Sequence, residues 1–177
     1  ELIGHLETAL QDLESADALQ VEITETAFME RREKALIAVR QIKDLGISIA
    51  IDDFGTGFSS LAYLRDLGAD VLKIDRTFVE GMSRKESDLV IVRSTIRMAH
   101  ELGLKVIAEG VETDWQLLQL RQLGCNQIQG FVYAKPIPGL AIPDWATSFN
   151  EENGNPISTE AANADESNIL PIISDAG

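Results

Sequence analysis

Residues 47 to 58 read Ile47-Ser48-Ile49-Ala50-Ile51-Asp52-Asp53-Phe54-Gly55-Thr56-Gly57-Phe58. The apolar run Ile47 to Ile51 has the length and β-branched content of a buried strand. It ends abruptly in two adjacent carboxylates, and a turn bracketed by Gly55 and Gly57 follows. Two like charges side by side at a strand end repel each other and lose hydration, so ionising both is costly. A divalent cation is the simplest compensation, because hard cations take oxygen ligands.

The same grammar recurs on either side. Leu2, Ile3, Leu6, Leu10 and Leu13 fall at helical spacing over residues 1 to 14, and residues 30 to 45 repeat the pattern with Leu36, Ile37, Val39, Ile42 and Leu45. Further helices are expected over Ser59 to Leu67, residues 86 to 102 and Asp114 to Leu123. Four of these helices stop at a Leu-Gly pair (Leu45-Gly46, Leu67-Gly68, Leu102-Gly103, Leu123-Gly124), the usual residue for a helix C-terminus. Between them lie short apolar runs expected as strands: Ala18 to Thr24, Ile47 to Ile51, Ala69 to Ile74, Leu104 to Ala108 and Asn126 to Gln129. Five strands, each preceded by a helix, argue for an α/β fold with a parallel sheet. In such folds the working residues gather at the carboxyl ends of the strands.

Those ends are charged here. They carry Glu22 and Glu25, Asp52 and Asp53, Lys73 and Asp75, Glu109 and Glu112, and finally Gln129. Glu22, Asp52, Asp53 and Glu109, from three strand ends, form an all-oxygen donor set suited to Mg²⁺ or Mn²⁺. No His or Cys joins them, which argues against zinc. Adjacent Asp52 and Asp53 could serve two ions, and two metals about 3.5 to 4 Å apart stabilise both the attacking and the leaving oxygen of a phosphodiester. Lys73 lies two residues before Asp75, so both are expected on one side of the strand. There Lys73 could orient a water and balance charge, or simply pair with Asp75. Glu25 and Glu112 could equally cap helices or pair with Lys and Arg. Gln129 could hold a water or close the end of the sheet.

The loop Phe54 to Ser60 lacks the Gly-Lys-Ser/Thr ending of a phosphate-cradling loop. Its glycines suit a lid or a contact between subunits. Ser59 or Ser60 could cap the helix that follows. His5, His100, Cys125, Trp115 and Trp145 read as packing or surface residues.

Composition narrows the partners. The chain of 177 residues carries 29 acidic against 15 basic residues, a net charge of -14. The stretch Phe149 to Gly177 holds six carboxylates (Glu151, Glu152, Glu160, Asp165, Glu166, Asp175) and no Lys or Arg. Setting it aside leaves about -8, so non-specific binding to DNA or direct contact with an anionic membrane is not expected. A single cysteine permits no intrachain disulfide and fits a reducing, cytoplasmic compartment. No apolar run approaches the roughly 20 residues needed to cross a bilayer, although membrane segments outside this chain could anchor a longer protein. The expected organisation is a domain over 1–148 and a disordered acidic tail over 149–177, within which Ile169 to Ile173 is a short apolar exception.

Taken together, the motifs resemble the EAL domain family of cyclic-di-GMP phosphodiesterases. The matching stretches are Val21-Glu22-Ile23-Thr24-Glu25-Thr26, Asp52 to Leu61, Leu72-Lys73-Ile74-Asp75-Arg76-Thr77-Phe78-Val79, Val106 to Thr113, Gln129-Gly130-Phe131 and Lys135-Pro136-Ile137-Pro138. The resemblance implies a TIM-like (β/α) barrel that hydrolyses cyclic-di-GMP to linear pGpG with two Mg²⁺ or Mn²⁺ ions. It implies Glu22, Asp52, Asp53 and Glu109 as metal ligands and Lys73 as the residue assisting the attacking water. Glu112 and Gln129 would support metal or water positions, and Glu25 would anchor the 54–60 loop, which in the family also helps pair two domains. A non-catalytic cyclic-di-GMP receptor or dimerisation module of the same type is the alternative.

The chain departs from the family pattern in one respect. The Glu-Ala-Leu motif of an early strand and the Asn ligand of a later one do not occur before Glu22. The five strands are therefore expected to be the carboxyl-terminal part of an eight-stranded barrel, with the amino-terminal strands absent from this chain. Such a chain should bind metal weakly and turn over little by itself.

Overall fold

Each apolar run becomes a strand with two differently used faces. In this computed structural model, which describes residues 2–11, 13, 15–30, 32–55, 61–153 and 170–171, the strands are β1 (Gln20–Thr24), β2 (Ser48–Phe54), β3 (Val71–Ile74), β4 (Lys105–Glu109), β5 (Gln127–Gln129) and the two-residue β6 (Leu170–Pro171). Successive side chains of a strand point to opposite faces. Ile49, Ile51, Leu72, Ile74, Val106, Ala108 and Ile128 face the helices and belong to the main core. Ala50, Val71 and Ile107 lie on the other face and form a separate buried cluster. Two residues further along the same face come Asp52, Lys73 and Glu109. The charged end of the sheet thus rests on a small apolar floor.

The sheet is parallel throughout, with order β1-β2-β3-β4-β5-β6. Strands that neighbour each other in chain order, joined by crossovers of one hand, keep their helices on one side and curl the sheet. This is the arrangement of part of a TIM-like barrel. The helices are α1 (Leu2–Gln11), α2 (Glu25–Glu30), α3 (Arg32–Asp44), α4 (Leu61–Leu67), α5 (Arg76–Gly81), α6 (Glu86–Glu101), α7 (Asp114–Gln122) and α8 (Ile142–Asn153). Val39 and Ile42 of α3, Val92, Ile96 and Ala99 of α6 and Leu120 of α7 supply the buried stripes against the sheet. Each fully buried aliphatic contributes about 1.5 to 3 kcal/mol relative to exposure.

Several boundaries differ from the sequence reading. β2 does not stop at Ile51 but runs to Phe54, carrying both aspartates inside the strand. The helix expected over residues 30 to 45 forms as α3, and the short α2 that precedes it directly after β1 was unexpected. Helix α5 was unexpected: β3 ends at Ile74, and Asp75 caps six helical residues. The domain boundary expected after 148 falls inside α8, which continues to Asn153. Leu170 and Pro171 of the expected tail pair with Gln127 and Ile128 of β5.

Candidate active site

The end of β2 is irregular in a way that separates its two carboxylates. The β2–β3 register shifts between Ile51 and Phe54, and Asp53 sits at φ 54°, in the left-handed region. Aspartate tolerates this region better than most residues, at a cost of about 1 kcal/mol. The bulge keeps Phe54 buried against the core while Asp52 stays on the inner face. The following Gly55, at φ 101°, lies against Phe78, whose ring a Cβ there would meet at 2.8 Å. Thr56 to Ser60 lie outside the described residues, and with them most of the 54–60 loop expected to act as a lid or subunit contact.

Lys73 occupies the middle of the inner face. Its side chain is only 6% exposed, and its Nζ stands 2.7 Å from Glu22 Oε1, 2.6 Å from Glu109 Oε1 and 3.1 Å from Asp52 Oδ1. The expected alternative, an ion pair between Lys73 and Asp75, does not form. β3 ends at Ile74, and Asp75 accepts hydrogen bonds from the Thr77 N–H (2.9 Å) and Thr77 hydroxyl as the N-cap of α5. The contact with Asp52 Oδ1 is an ion pair rather than a well-angled hydrogen bond, so this buried oxygen has no hydrogen-bond partner. A buried polar atom in that condition is costly.

One ammonium pairs with three carboxylates, Glu22, Asp52 and Glu109, and its charge also acts on nearby Asp53. Burial alone would lower the Lys73 pKa, but its hydrogen bonds to Glu109 and Glu22 and the surrounding negative charge raise it well above the ordinary value. Desolvation pushes Glu109 up from the usual carboxylate range against the pull of Lys73, and Asp52 and Glu22 push it further. Desolvation also raises Asp53, followed by repulsion from Asp52 and Asp75. The cluster carries more negative charge than Lys73 can neutralise. Among the described residues no three carboxylate, His or Cys side chains are arranged to hold a metal ion as they stand. They converge on Lys73 instead.

The second half of the site lies at β4 and β5. Glu109 pairs in register with Gln129, and both line a cleft with Glu112, Arg76, Arg84 and Lys135. Glu112 is exposed, at the mouth of this cleft. Glu25 is the first residue of α2, directly after β1. Gln116 of this region escaped the sequence reading, which quoted Gly130 and Arg76 within its motifs but gave them no role. The pattern Thr113-x-x-Gln116 is a capping-box signature and could have flagged it. Cys125 is buried, its thiol pushed up to about 12 by desolvation, which leaves it unreactive at neutral pH. Among the described residues no helix is long and apolar enough to cross a membrane.

Residues 1–136 match the EAL domain family, and the chain belongs to it. It is 40% identical over 139 residues to cyclic di-GMP phosphodiesterase NbdA of Pseudomonas aeruginosa, covering 78% of this chain and 18% of that protein. Among solved structures it resembles the PaMucR phosphodiesterase in complex with c-di-GMP, with a TM-score of 0.76, 40% identity, and coverage of 80% of this chain and 57% of that one. It also resembles a manganese and cyclic-di-GMP complex of Klebsiella pneumoniae BlrP1, with a TM-score of 0.69, 30% identity, and coverage of 75% and 34%. The chain thus spans only part of each of these proteins.

Proposed function

We propose that this chain is the carboxyl-terminal part of a domain that hydrolyses cyclic-di-GMP to linear pGpG. The observation that carries the reading is the buried Lys73 ammonium among Glu22, Asp52 and Glu109 at the carboxyl ends of a parallel sheet, within the span that matches the EAL domain family. The named relatives supply the substrate class: NbdA is a cyclic di-GMP phosphodiesterase, and the PaMucR and BlrP1 structures are complexes with that dinucleotide.

The donor set fits a divalent cation, Mg²⁺ or Mn²⁺. It is all oxygen, its negative charge is in excess, and the buried Asp52 Oδ1 lacks a hydrogen bond. Glu22, Asp52, Asp53 and Glu109 would hold two such ions in the completed domain. When bound, they supply Lewis-acid stabilisation of the phosphodiester and activation of water. The protein groups do the rest. Lys73 donates a hydrogen bond to the attacking water and keeps Glu22, Asp52 and Glu109 from repelling one another. Glu109 and Glu112 accept hydrogen bonds from water on the β4 side, and Gln129 donates from β5. The water oxygen bonds to phosphorus as a phosphorus–O3′ bond breaks, and the proton balance closes as water gives up one proton and the leaving O3′ takes one up, so the ring opens to pGpG.

The acidic surface and single buried cysteine favour a cytoplasmic domain that binds this dinucleotide rather than DNA or a membrane. Glu25 and the 54–60 loop are proposed as its pairing element. The carboxyl-terminal portion alone, without the Glu-Ala-Leu and Asn ligands, should be weakly active or inactive. The test is chromatographic detection of pGpG from cyclic-di-GMP and Mg²⁺, using the chain extended at its amino-terminal side into a full domain. Release of pGpG that a chelator abolishes supports the enzyme. Tight binding with no pGpG would instead establish a receptor.

A further inference from the structure

We propose that Gln116 is a positioning residue that fixes the Gly110–Thr113 backbone and thereby aims Glu109 and Glu112. The proposal rests on the reading of the site given above. Gln116 lies in the first turn of α7 and is only 4% exposed. Its Oε1 accepts the Glu112 N–H at 2.9 Å and the Thr113 N–H at 3.0 Å. Its Nε2 donates to the Val79 carbonyl of α5 at 3.1 Å, an element distant in sequence. A buried amide costs free energy unless it is bonded, and here three bonds satisfy it.

Helix capping accounts for part of this arrangement. The Thr113 hydroxyl accepts the Gln116 N–H at 3.3 Å, and Gln116 returns a bond to the Thr113 N–H, completing a capping box. A cap does not require the bond to Glu112 or the reach to Val79. Those two tie the carboxylate-bearing loop to α5, which follows directly on the strand of Lys73.

The loop is gripped from its other sides as well. The Val111 N–H donates to the Gln129 carbonyl at 3.2 Å, and the Val132 N–H donates to the Val111 carbonyl at 2.9 Å. Gly130 lies flat against Val111: a Cβ there would fall 2.2 to 2.7 Å from its backbone. Gly110, at φ 67°, packs against Arg76, whose Cβ an added side chain would meet at 2.6 Å. A loop held on all sides admits one backbone path, and the carboxylates on it inherit that path.

The test compares Gln116→Met with Thr113→Ala in the 177-residue chain. Amide hydrogen exchange is read at Glu112 and Thr113, and Mn²⁺ affinity by water-proton relaxation. Gln116→Met should speed exchange of these two amides about tenfold or more beyond any change at Val106. It should also weaken Mn²⁺ binding by about 10- to 100-fold, the usual effect of losing a group that orients ligands. Thr113→Ala removes the hydroxyl cap and should lower stability while leaving Mn²⁺ affinity within about twofold. Equal Mn²⁺ affinities in the two variants would overturn the positioning role. Should Gln116→Met not fold, the unaltered chain decides: both amides must exchange as slowly as Val106, and exchange at open-loop rates contradicts the clamp. Absence of Mn²⁺ binding by the unaltered chain would refute the cation reading and leave the clamp to the exchange data.

Discussion

Lys73 Nζ lies 2.6 Å from Glu109 Oε1 across the β3–β4 pair, in which Lys73 is registered with Ile107. The two side chains share the inner face because Glu109 is two residues beyond Ile107, one full strand period. The same step places Asp52 beyond Ala50. Two consequences follow from this geometry. Lys73 neutralises carboxylates that would otherwise drive the strand ends apart, and it stands among the groups proposed as cation ligands.

Lys73→Met should therefore destabilise the cation-free chain by about 3 kcal/mol, because removing one partner strands buried charge of the other sign. Glu22 is 43% exposed and suffers least, so the cost falls mainly on Asp52 and Glu109. Adding Mn²⁺ should raise the melting temperature of the variant more than that of the unaltered chain. An equal shift in both would show that Lys73 and the cation do not share ligands.

Asp53 is strained and repelled at once. Asp53→Asn keeps a residue that tolerates φ 54° and removes the charge that Asp52 and Asp75 oppose. The variant should gain roughly 0.5 to 1 kcal/mol of stability without cation and lose cation affinity. Thermal melts with and without Mn²⁺ check both halves. A variant less stable in both conditions would contradict the repulsion.

Asp75 is assigned to the α5 cap rather than to Lys73. Asp75→Ala should cost about 1 kcal/mol, the usual loss of an N-cap. Amide exchange should rise at Thr77 and Phe78 and stay unchanged at Lys73. Enhanced exchange along β3 would show that Asp75 supports the Lys73 cluster after all.

Much of this was readable in the chain. The Leu-Gly stops and intervening apolar runs specify βα units because glycine ends a helix and a buried strand is short and β-branched. The strand-end charges specify a site because the inner face offers no other reason to hold them. What escaped the sequence was local backbone geometry. The bulge at Asp53 depends on Phe54 finding the core, which no pattern of period two announces. Asp75 reads as a strand residue until the Thr77 bonds show the chain already turning into α5. Gln116 reads as one more polar helix residue, since its partner Val79 is remote in sequence. α8 was hidden by the polar composition that begins near its middle.

The pH dependence has a defined sign. Folded-state pKa values of Asp53 and Glu109 lie above their ordinary 3.8 and 4.5. For these two groups the stabilising form is the protonated one, present below the ordinary values and lost as pH rises through the raised ones. Cation binding needs the ionised forms. Mn²⁺ affinity should fall on acidification, beginning above the ordinary carboxylate range, while these two groups favour the cation-free fold as they protonate. Lys73 acts differently: its raised pKa contributes stability at all pH below its ordinary 10.5 and loses it only on strong alkalinisation. Titration of Mn²⁺ binding from pH 7 downward checks this, and affinity constant down to pH 4 would contradict it.

Lys73 is proposed to act on the attacking water of a cation-dependent phosphodiesterase. Lys73→Ala in the completed domain, assayed for both cyclic-di-GMP binding and pGpG release, tests it most directly. Turnover should fall by at least about 100-fold, the lower end of the contribution of a positioned proton-handling group, with nucleotide binding largely retained. Undiminished pGpG release would remove Lys73 from the chemistry and contradict that role.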